Sequence, residues 1–388
     1  MQIMPYRYET LERVVRGYEA TGVPLVGTDG HVFTAEPYVD AGIGLYYLVP
    51  WIARTFHVPV DAALRIWSVS AVSAACVLGL AGSFLLFRSA HARLAAAVGI
   101  GAVLFLCLRF GEGYLAGGVA AVATVPLFLH LHRSGRPAAL AAAVFGVGVV
   151  AGVADEVRSL IGTPVLLFVL LVLALDAAAP RGRRLLCALA LLLGTAIPRV
   201  YADRLAGERD DFVRTAAAGR LPAERGDAMW HPAYIGLGYL PNRHGIAYRD
   251  ESAIARVDAV DPGAPYLSPR YTSILRGEVV RIAREDPGLV VRTVAAKGFR
   301  ILLFLALFAH VGLLLALTRP RDWRLEIPFA AATALAAVPG VVGLPVLHYV
   351  VGALAFAALY GAVSVEAGLG PSVPWRALPR SAPRPRPA

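Results

Sequence analysis

Apolar and polar positions fall in long blocks along this chain. Apolar runs of about 17–25 residues, the length that crosses a bilayer as a helix, lie near 62–87, 92–109, 114–131, 138–154, 160–176 and 184–200. Three more follow near 292–318, 325–343 and 345–365. Between the sixth run and the seventh lies the one long polar stretch, from about Tyr201 to Pro287. The pattern predicts an all-α, polytopic transmembrane helical protein of about nine spans with a polar cap. Five regions result: an N-terminal loop at 1–61, six spans over 62–200, a long loop at 201–291, three spans over 292–365, and a tail at 366–388.

Shorter patterns refine the polar parts. Tyr8, Leu11, Val14, Val15 and Tyr18 recur at helical spacing with Glu9, Glu12, Arg13 and Arg16 between them. That spacing predicts an amphipathic helix at a membrane surface. Gly27–His31 reads GTDGH, a turn. Residues 41–56 are apolar but short and interrupted by Pro50, so they read as re-entrant or interfacial. A second amphipathic helix is expected over 269–285, and Asp286-Pro287 suits the start of the next span. No basic stretch leads into an apolar run within 1–61, so no leader is expected there. The Pro- and Arg-rich tail is expected to be disordered.

Composition agrees with lipid as the solvent. Hydrophobic residues make up 57% of the 388 and charged residues 16%, against about 25% charged in soluble domains; mean hydropathy is +0.61. The net charge is +10, and Lys297 is the one lysine. A basic balance can signal nucleic acid. Here the arginines sit at the ends of apolar runs, which points to topology and not to a nucleic-acid partner. Fourteen arginines fall in the connections near 88–93, 132–137, 181–184 and 319–324 and in the tail; only Arg109 and Arg158 fall in the short connections opposite. The arginine-rich side is therefore expected to be cytoplasmic. The N-terminal segment and the long loop are expected outside, in a multi-pass protein of the plasma membrane.

Cys76, Cys107 and Cys187 lie inside apolar runs and read as small hydrophobes. No CxxC, HExxH or nucleotide-binding glycine motif is present, so no metal site or cofactor is expected, although a divalent ion near the acids stays open.

Three pieces of sequence then bring polar chemistry to one outer face. The first carries Asp29, His31, Glu36 and Asp40. Asp29 is either a turn residue or a general base whose pKa is raised by partial desolvation; Asp40 is either a second base or a helix N-cap. The second is Asp155, Glu156 and Arg158, which either form a wet turn or bind substrate. The third is the long loop. Its stretch HPAYIGLGYLPNRHGIAYRDES, from His231 to Ser252, with Trp230 just before it, offers Trp230, Tyr234, Tyr239 and Tyr248 for stacking on sugar rings and His231, Asn242, His244 and Asp250 for hydroxyls; otherwise its aromatics sit in the interfacial belt. Arg292, Lys297 and Arg300 fall within an arc of roughly 140° on the span that leaves the loop. They either snorkel or hold a lipid phosphate.

The stretch TDGHVFTAEPYVDAGIGLYYLVPWIARTF, followed by a span containing ALRIWSVS, resembles the C-type glycosyltransferase (GT-C) superfamily. Those are polytopic enzymes that use polyprenyl-phosphate-linked sugars. The resemblance is architectural and covers about the first 200 residues. It implies that an early acidic outer loop supplies the catalytic carboxylate and that a later loop helps to bind substrates. Two features depart from that family: nothing before Asp29 reads as a span, and Asp29 stands alone where the family often has a pair of acids. The resemblance implies transfer of a sugar from a polyprenyl-phosphate carrier to an extracytoplasmic acceptor, with membrane lipid as surroundings. Arg292, Lys297, Arg300 and Arg158 would then hold the carrier phosphate. The alternatives are a transporter or flippase for a lipid-linked saccharide, and a non-catalytic membrane partner in envelope polysaccharide assembly.

Overall fold

A computed structural model of the chain describes residues 5–36, 42–110, 115–134, 136–221, 227–318 and 322–369. In chain order the helices are α1 (Pro5–Thr21), α2 (Gly44–Phe56), α3 (Val60–Leu86), α4 (Ala90–Phe110), α5 (Leu115–Ala123), α6 (Val125–Ser134), α7 (Pro137–Val157), α8 (Thr163–Leu175), α9 (Arg181–Thr215), α10 (Trp230–Gly236), α11 (Asp250–Asp258), α12 (Pro269–Glu285), α13 (Pro287–Thr318), α14 (Trp323–Val342) and α15 (Leu347–Leu369). Three short strands join them: β1 (Val26–Thr28), β2 (Phe33–Ala35) and β3 (Gly219–Arg220). The protein is an all-α, multi-pass membrane protein. Among the described residues, eight helices are long and apolar enough to cross a bilayer, with α5 and α6 counted as one interrupted span.

The ninth expected span is the short one. α8 has 13 residues, about 20 Å of helix against a hydrocarbon core of about 30 Å. It nevertheless carries the chain back across. α7 and α9 pack side by side and run in the same direction. Gly148 meets Leu191 and Gly194, Gly152 meets Thr195 and Pro198, and Glu156 pairs with Arg199. Two parallel neighbours require a return between them, and α8 is the helix in that interval. Its shortness is tolerable because one face of it is buried against other helices, through Val165, Phe168, Val169, Val172 and Leu173, where backbone outside the helix finds partners. Phe168 of α8 packs against Phe128 (α6), Phe329 (α14) and Phe356 (α15), with ring centroids 6.4, 4.8 and 5.8 Å apart.

The close approach of α7 and α9 explains two glycines. A Cβ at Gly148 would stand 2.6 Å from the Leu191 carbonyl oxygen, and one at Gly194 2.3 Å from that of Phe145. Small residues at such a seam let the backbones touch, which drives helix packing where lipid removes the hydrophobic contrast.

The two ends of the bundle differ. At the arginine-rich end the charges close helix termini. Arg93 donates to the Phe87 and Phe84 carbonyls, Arg133 to Leu86 and Arg183 to His132. The Glu366 carboxylate accepts the N–H groups of Arg88 and Ser89, just before α4. These are the favourable placements for cations at helix C-termini and an anion at an N-terminus. They bring 88–93, 132–133, 183 and 366 to one end, as the alternation of spans requires.

The opposite end carries two small folded units. In the first, α1 packs on α2. β1 and β2 form an antiparallel hairpin, and β2 pairs in parallel with β3 from beyond α9. Arg13 reaches the buried Glu36 carboxylate at 2.6 Å, and Arg209 donates to the Glu36 carbonyl at 2.8 Å. The expected loop at 201–291 therefore begins as helix. α9 runs on to Thr215 because Leu205 and Val213 have a face to bury on, while Arg199–Asp203 and Arg204–Glu208 pair at i,i+4 on the wet face. The second unit gathers α10, α11, α12 and the start of α13 around Tyr234, Ile235, Val257, Tyr271, Leu275 and Leu289. The expected helix over 269–285 is α12, with Ser268 as its N-cap.

Candidate functional site

The α7–α8 turn is closely tied backbone at the capped end. Asp155, on the last turn of α7, accepts the backbone N–H groups of Gly162 and Thr163 at 2.7 and 3.1 Å, and its other oxygen accepts the Thr163 hydroxyl at 2.7 Å. One carboxylate thus satisfies the free N-terminal donors of α8. Within the loop so closed, Leu160 takes a positive φ of 69° and stays exposed, a conformation that costs a non-glycine residue roughly 1–2 kcal/mol.

That turn carries Arg158. Its guanidinium carbon lies 5.4 Å from the centre of the Tyr349 ring, at the start of α15, within cation–π range. The hydroxyls of Tyr349 and Tyr248 are hydrogen-bonded, and burial together with that contact pushes the Tyr248 phenol up. Arg158, Ser159, Leu160 and Tyr349 edge a cavity of about 40 Å³, whose deeper walls include Gly118, Pro164, Pro339 and Phe356. The space holds a water molecule or two. Gly42 and Gly44, at the start of α2, pack on the Glu156 and Val157 backbone beside this turn. The long loop, the N-terminal segment and three spans therefore converge within a few residues of Arg158.

Comparison with family models, with curated proteins and with solved structures finds no match for this chain. Its chemistry has to be read from its own residues.

The other expected site residues go to several places. Asp29 sits exposed at the β1–β2 hairpin tip. Its carboxylate accepts the N–H groups of His31 and Val32, and these bonds hold its pKa below the ordinary value. The desolvation expected to raise it is outweighed there. Asp40 lies outside the described residues. Glu156 pairs with Arg199 at 3.4 Å.

In the second unit the polar residues serve the fold. His231 is buried, with Nδ1 2.8 Å from the Tyr271 hydroxyl and Nε2 3.0 Å from Asp250. Tyr234 is 5% exposed inside the cluster, and burial raises its pKa. That leaves little ring face for stacking on a sugar. Asn242 ties its loop by donating to the Leu240 and Ile246 carbonyls and accepting from the His244 and Ile246 N–H groups. His244 stands 3.7 Å from Asp286.

The basic stripe on α13 divides. Lys297 is 2% exposed. Its ammonium donates to the Val341 and Val342 carbonyls at 3.1 and 3.2 Å, closing the C-terminus of α14. Arg292 and Arg300 are exposed on other faces; Arg292 donates to the Gly288 carbonyl, and Arg300 lies over Phe304. Proximity on a helical wheel does not tell the inward part of an arc from the outward part. Tyr248, one of the loop aromatics expected to stack on a sugar, instead turns its hydroxyl to Tyr349; the sequence reading missed Tyr349, an aromatic at a span end. Among the described residues no group of three or more His, Cys, Asp or Glu side chains is placed to hold a metal ion.

Proposed function

We propose that this protein is a membrane glycosyltransferase that moves a sugar from a polyprenyl-phosphate carrier to an acceptor on its capped side. The observation that carries the reading is the position of Arg158. A braced, strained turn holds a guanidinium at the mouth of a cavity between membrane-spanning helices, under a folded polar cap. A planar guanidinium suits the oxygens of a phosphate. At the edge of the membrane it meets a phosphate whose lipid tail stays in the bilayer, and it stabilises that phosphate as it leaves the sugar. The hydroxyls of Tyr349 and Tyr248 stand beside it as further hydrogen-bonding groups. Lys297, already committed to two carbonyls, has no part in this role.

The base is then Asp40 in preference to Asp29. Asp40 precedes by two residues Gly42, whose backbone touches the segment that leads into Arg158. Asp29 is held in a hairpin turn with a lowered pKa, which weakens it as a proton acceptor. Loss of a general base typically costs about 10²–10⁴-fold in rate. In a transfer assay with a polyprenyl-phosphate-linked sugar, Asp40→Asn is expected to fall by that order and Asp29→Asn to retain most activity. Full activity in Asp40→Asn would remove this residue from the chemistry. Failure of the wild type to turn over any lipid-linked sugar would favour the second reading, a transporter for such a lipid. One observation speaks for that reading. α13 is broken at His310, where φ is 44° and ψ is −142°, and interrupted helices at membrane depth are a mark of transport sites.

A further inference from the structure

The cavity beside Arg158 is too small to admit a ligand much larger than water. It measures about 40 Å³, against about 300–1,000 Å³ for ordinary ligand sites. Arg158, Ser159 and Tyr349 stand at the mouth, and the walls below, among them Gly118, Val122 and Val351, are apolar. Entry therefore requires that a residue of the mouth move. Asp155 fixes the turn that carries Arg158 and Ser159. Tyr349 is the freer member, because it opens α15 just after residues 343–346, which form no helix.

Two contacts hold Tyr349 in place. Arg158 lies against its ring, 5.4 Å from the centre. Its hydroxyl is hydrogen-bonded to that of Tyr248. Both side chains close on Gly343, where a Cβ would stand 3.6 Å from the Tyr248 hydroxyl and 3.9 Å from the Tyr349 ring. Tyr248 is a fixed post. Its backbone packs on Gly238, where a Cβ would stand 2.8 Å from the Tyr248 nitrogen, and the neighbouring Ala247 N–H donates to the Ser252 hydroxyl. The post belongs to the second unit, which has a core of its own, so this bond joins the cap to the bundle at the cavity mouth. We propose that Tyr349 is a gate over the cavity, shut in this structure and latched by the hydroxyl of Tyr248. The gate concerns the same site as the carrier reading, but it applies to any ligand of that site, and its test needs no carrier.

The test reads access to the cavity with a thiol. Val351, 5% exposed, lines the cavity two residues beyond Tyr349. Val351→Cys is made in the full chain with Cys76, Cys107 and Cys187 replaced by alanine. The purified protein is treated in detergent with the small anionic reagent sulfonatoethyl methanethiosulfonate, and mass spectrometry gives the labelling rate. With the latch intact, Val351→Cys should react about tenfold or more below Ser159→Cys at the exposed mouth, since a minor open state is populated at roughly 0.1–10%. Tyr248→Phe keeps the ring and removes the latch. It should raise the Val351→Cys rate about 2- to 10-fold, the effect of one hydrogen bond on such an equilibrium. Tyr349→Phe should do the same from the other side. The double variant should be no faster than the faster single one, because both delete one bond. Tyr239→Phe, beside Lys297 and outside the cavity wall, should change nothing. Unfolding temperatures near that of the parent show that the variants fold. Labelling of Val351→Cys as fast as Ser159→Cys, a rate that either latch variant leaves unmoved, or effects that multiply in the double variant would overturn the gate.

Discussion

The two ends of the bundle spend their charges differently. At the arginine-rich end, Arg93, Arg133, Arg183 and Glu366 each complete the end of a helix. Those groups are taken up by the backbone, and the short connections need no fold of their own. At the capped end a carboxylate also closes a helix, Asp155 on α8, but it does so from the preceding helix. The turn it closes projects Arg158 over Tyr349 at a cavity mouth, and two folded units stand around it. On the function proposed above, the comparison separates charge that secures the bundle from charge placed toward a ligand. Buried Lys297 belongs with the first kind although it lies near the second end.

The largest expected effect tests whether the ends are on opposite sides at all. Cysteines introduced at the exposed Ser273 of α12 and at the exposed Gly182 in the first turn of α9 should respond in an all-or-none manner to a membrane-impermeant thiol reagent in intact cells. The arginine bias predicts labelling of Ser273→Cys alone. Labelling of both would show that the two ends share a side, and labelling of Gly182→Cys alone would invert the orientation.

Next in size is the brace itself. Asp155→Ala removes one side-chain and two backbone hydrogen bonds to a carboxylate and leaves two helix-terminal donors without it. The expected loss is about 2–4 kcal/mol, read as a fall in unfolding temperature in detergent. Glu366→Gln at the other end keeps an accepting oxygen and should cost only about 1 kcal/mol. Equal losses would mean that the α7–α8 turn is no more dependent on its carboxylate than an ordinary helix end.

The smallest effect concerns Asp29. Its folded pKa is depressed, so whatever stability its turn contributes is present above the ordinary aspartate value and is lost as pH falls through the lower folded value. Below about pH 4 the wild type should approach Asp29→Asn in stability, and above it the wild type should be slightly the more stable. A wild type that instead gains stability relative to Asp29→Asn on acidification would mean that the carboxylate is destabilising, as a desolvated base is.

Much of the fold was legible in the chain because a bilayer imposes one simple requirement, long apolar runs with polar punctuation. That rule found the eight long spans and also 160–176. It could not show that the ninth shrinks to a 13-residue helix, since Gly162 and Pro164 carry no label for depth. It also missed the continuation of α9, because Leu205, Phe212 and Val213 are few apolar residues among charges, and Phe212 and Val213 pack on a hairpin far earlier in the chain. The site was less legible for the same kind of reason. Arg158 stood out as one of two arginines against the topological trend. Tyr349 did not, because its role comes from a turn nearly two hundred residues away. Lys297 looked like its basic neighbours until packing turned it inward.

Polyprenyl phosphate binding measured in nanodiscs for the wild type, Arg158→Ala, Arg158→Lys and Lys297→Met tests the central claim most directly. Arg158→Ala should weaken binding by about 1.5–3 kcal/mol, roughly 10- to 150-fold. Arg158→Lys should recover part of that, keeping the charge without the planar fork, and Lys297→Met should stay within about twofold of wild type. Wild-type affinity in Arg158→Ala, or a loss in Lys297→Met as large as that in Arg158→Ala, would contradict the assignment of the phosphate to the Arg158 turn.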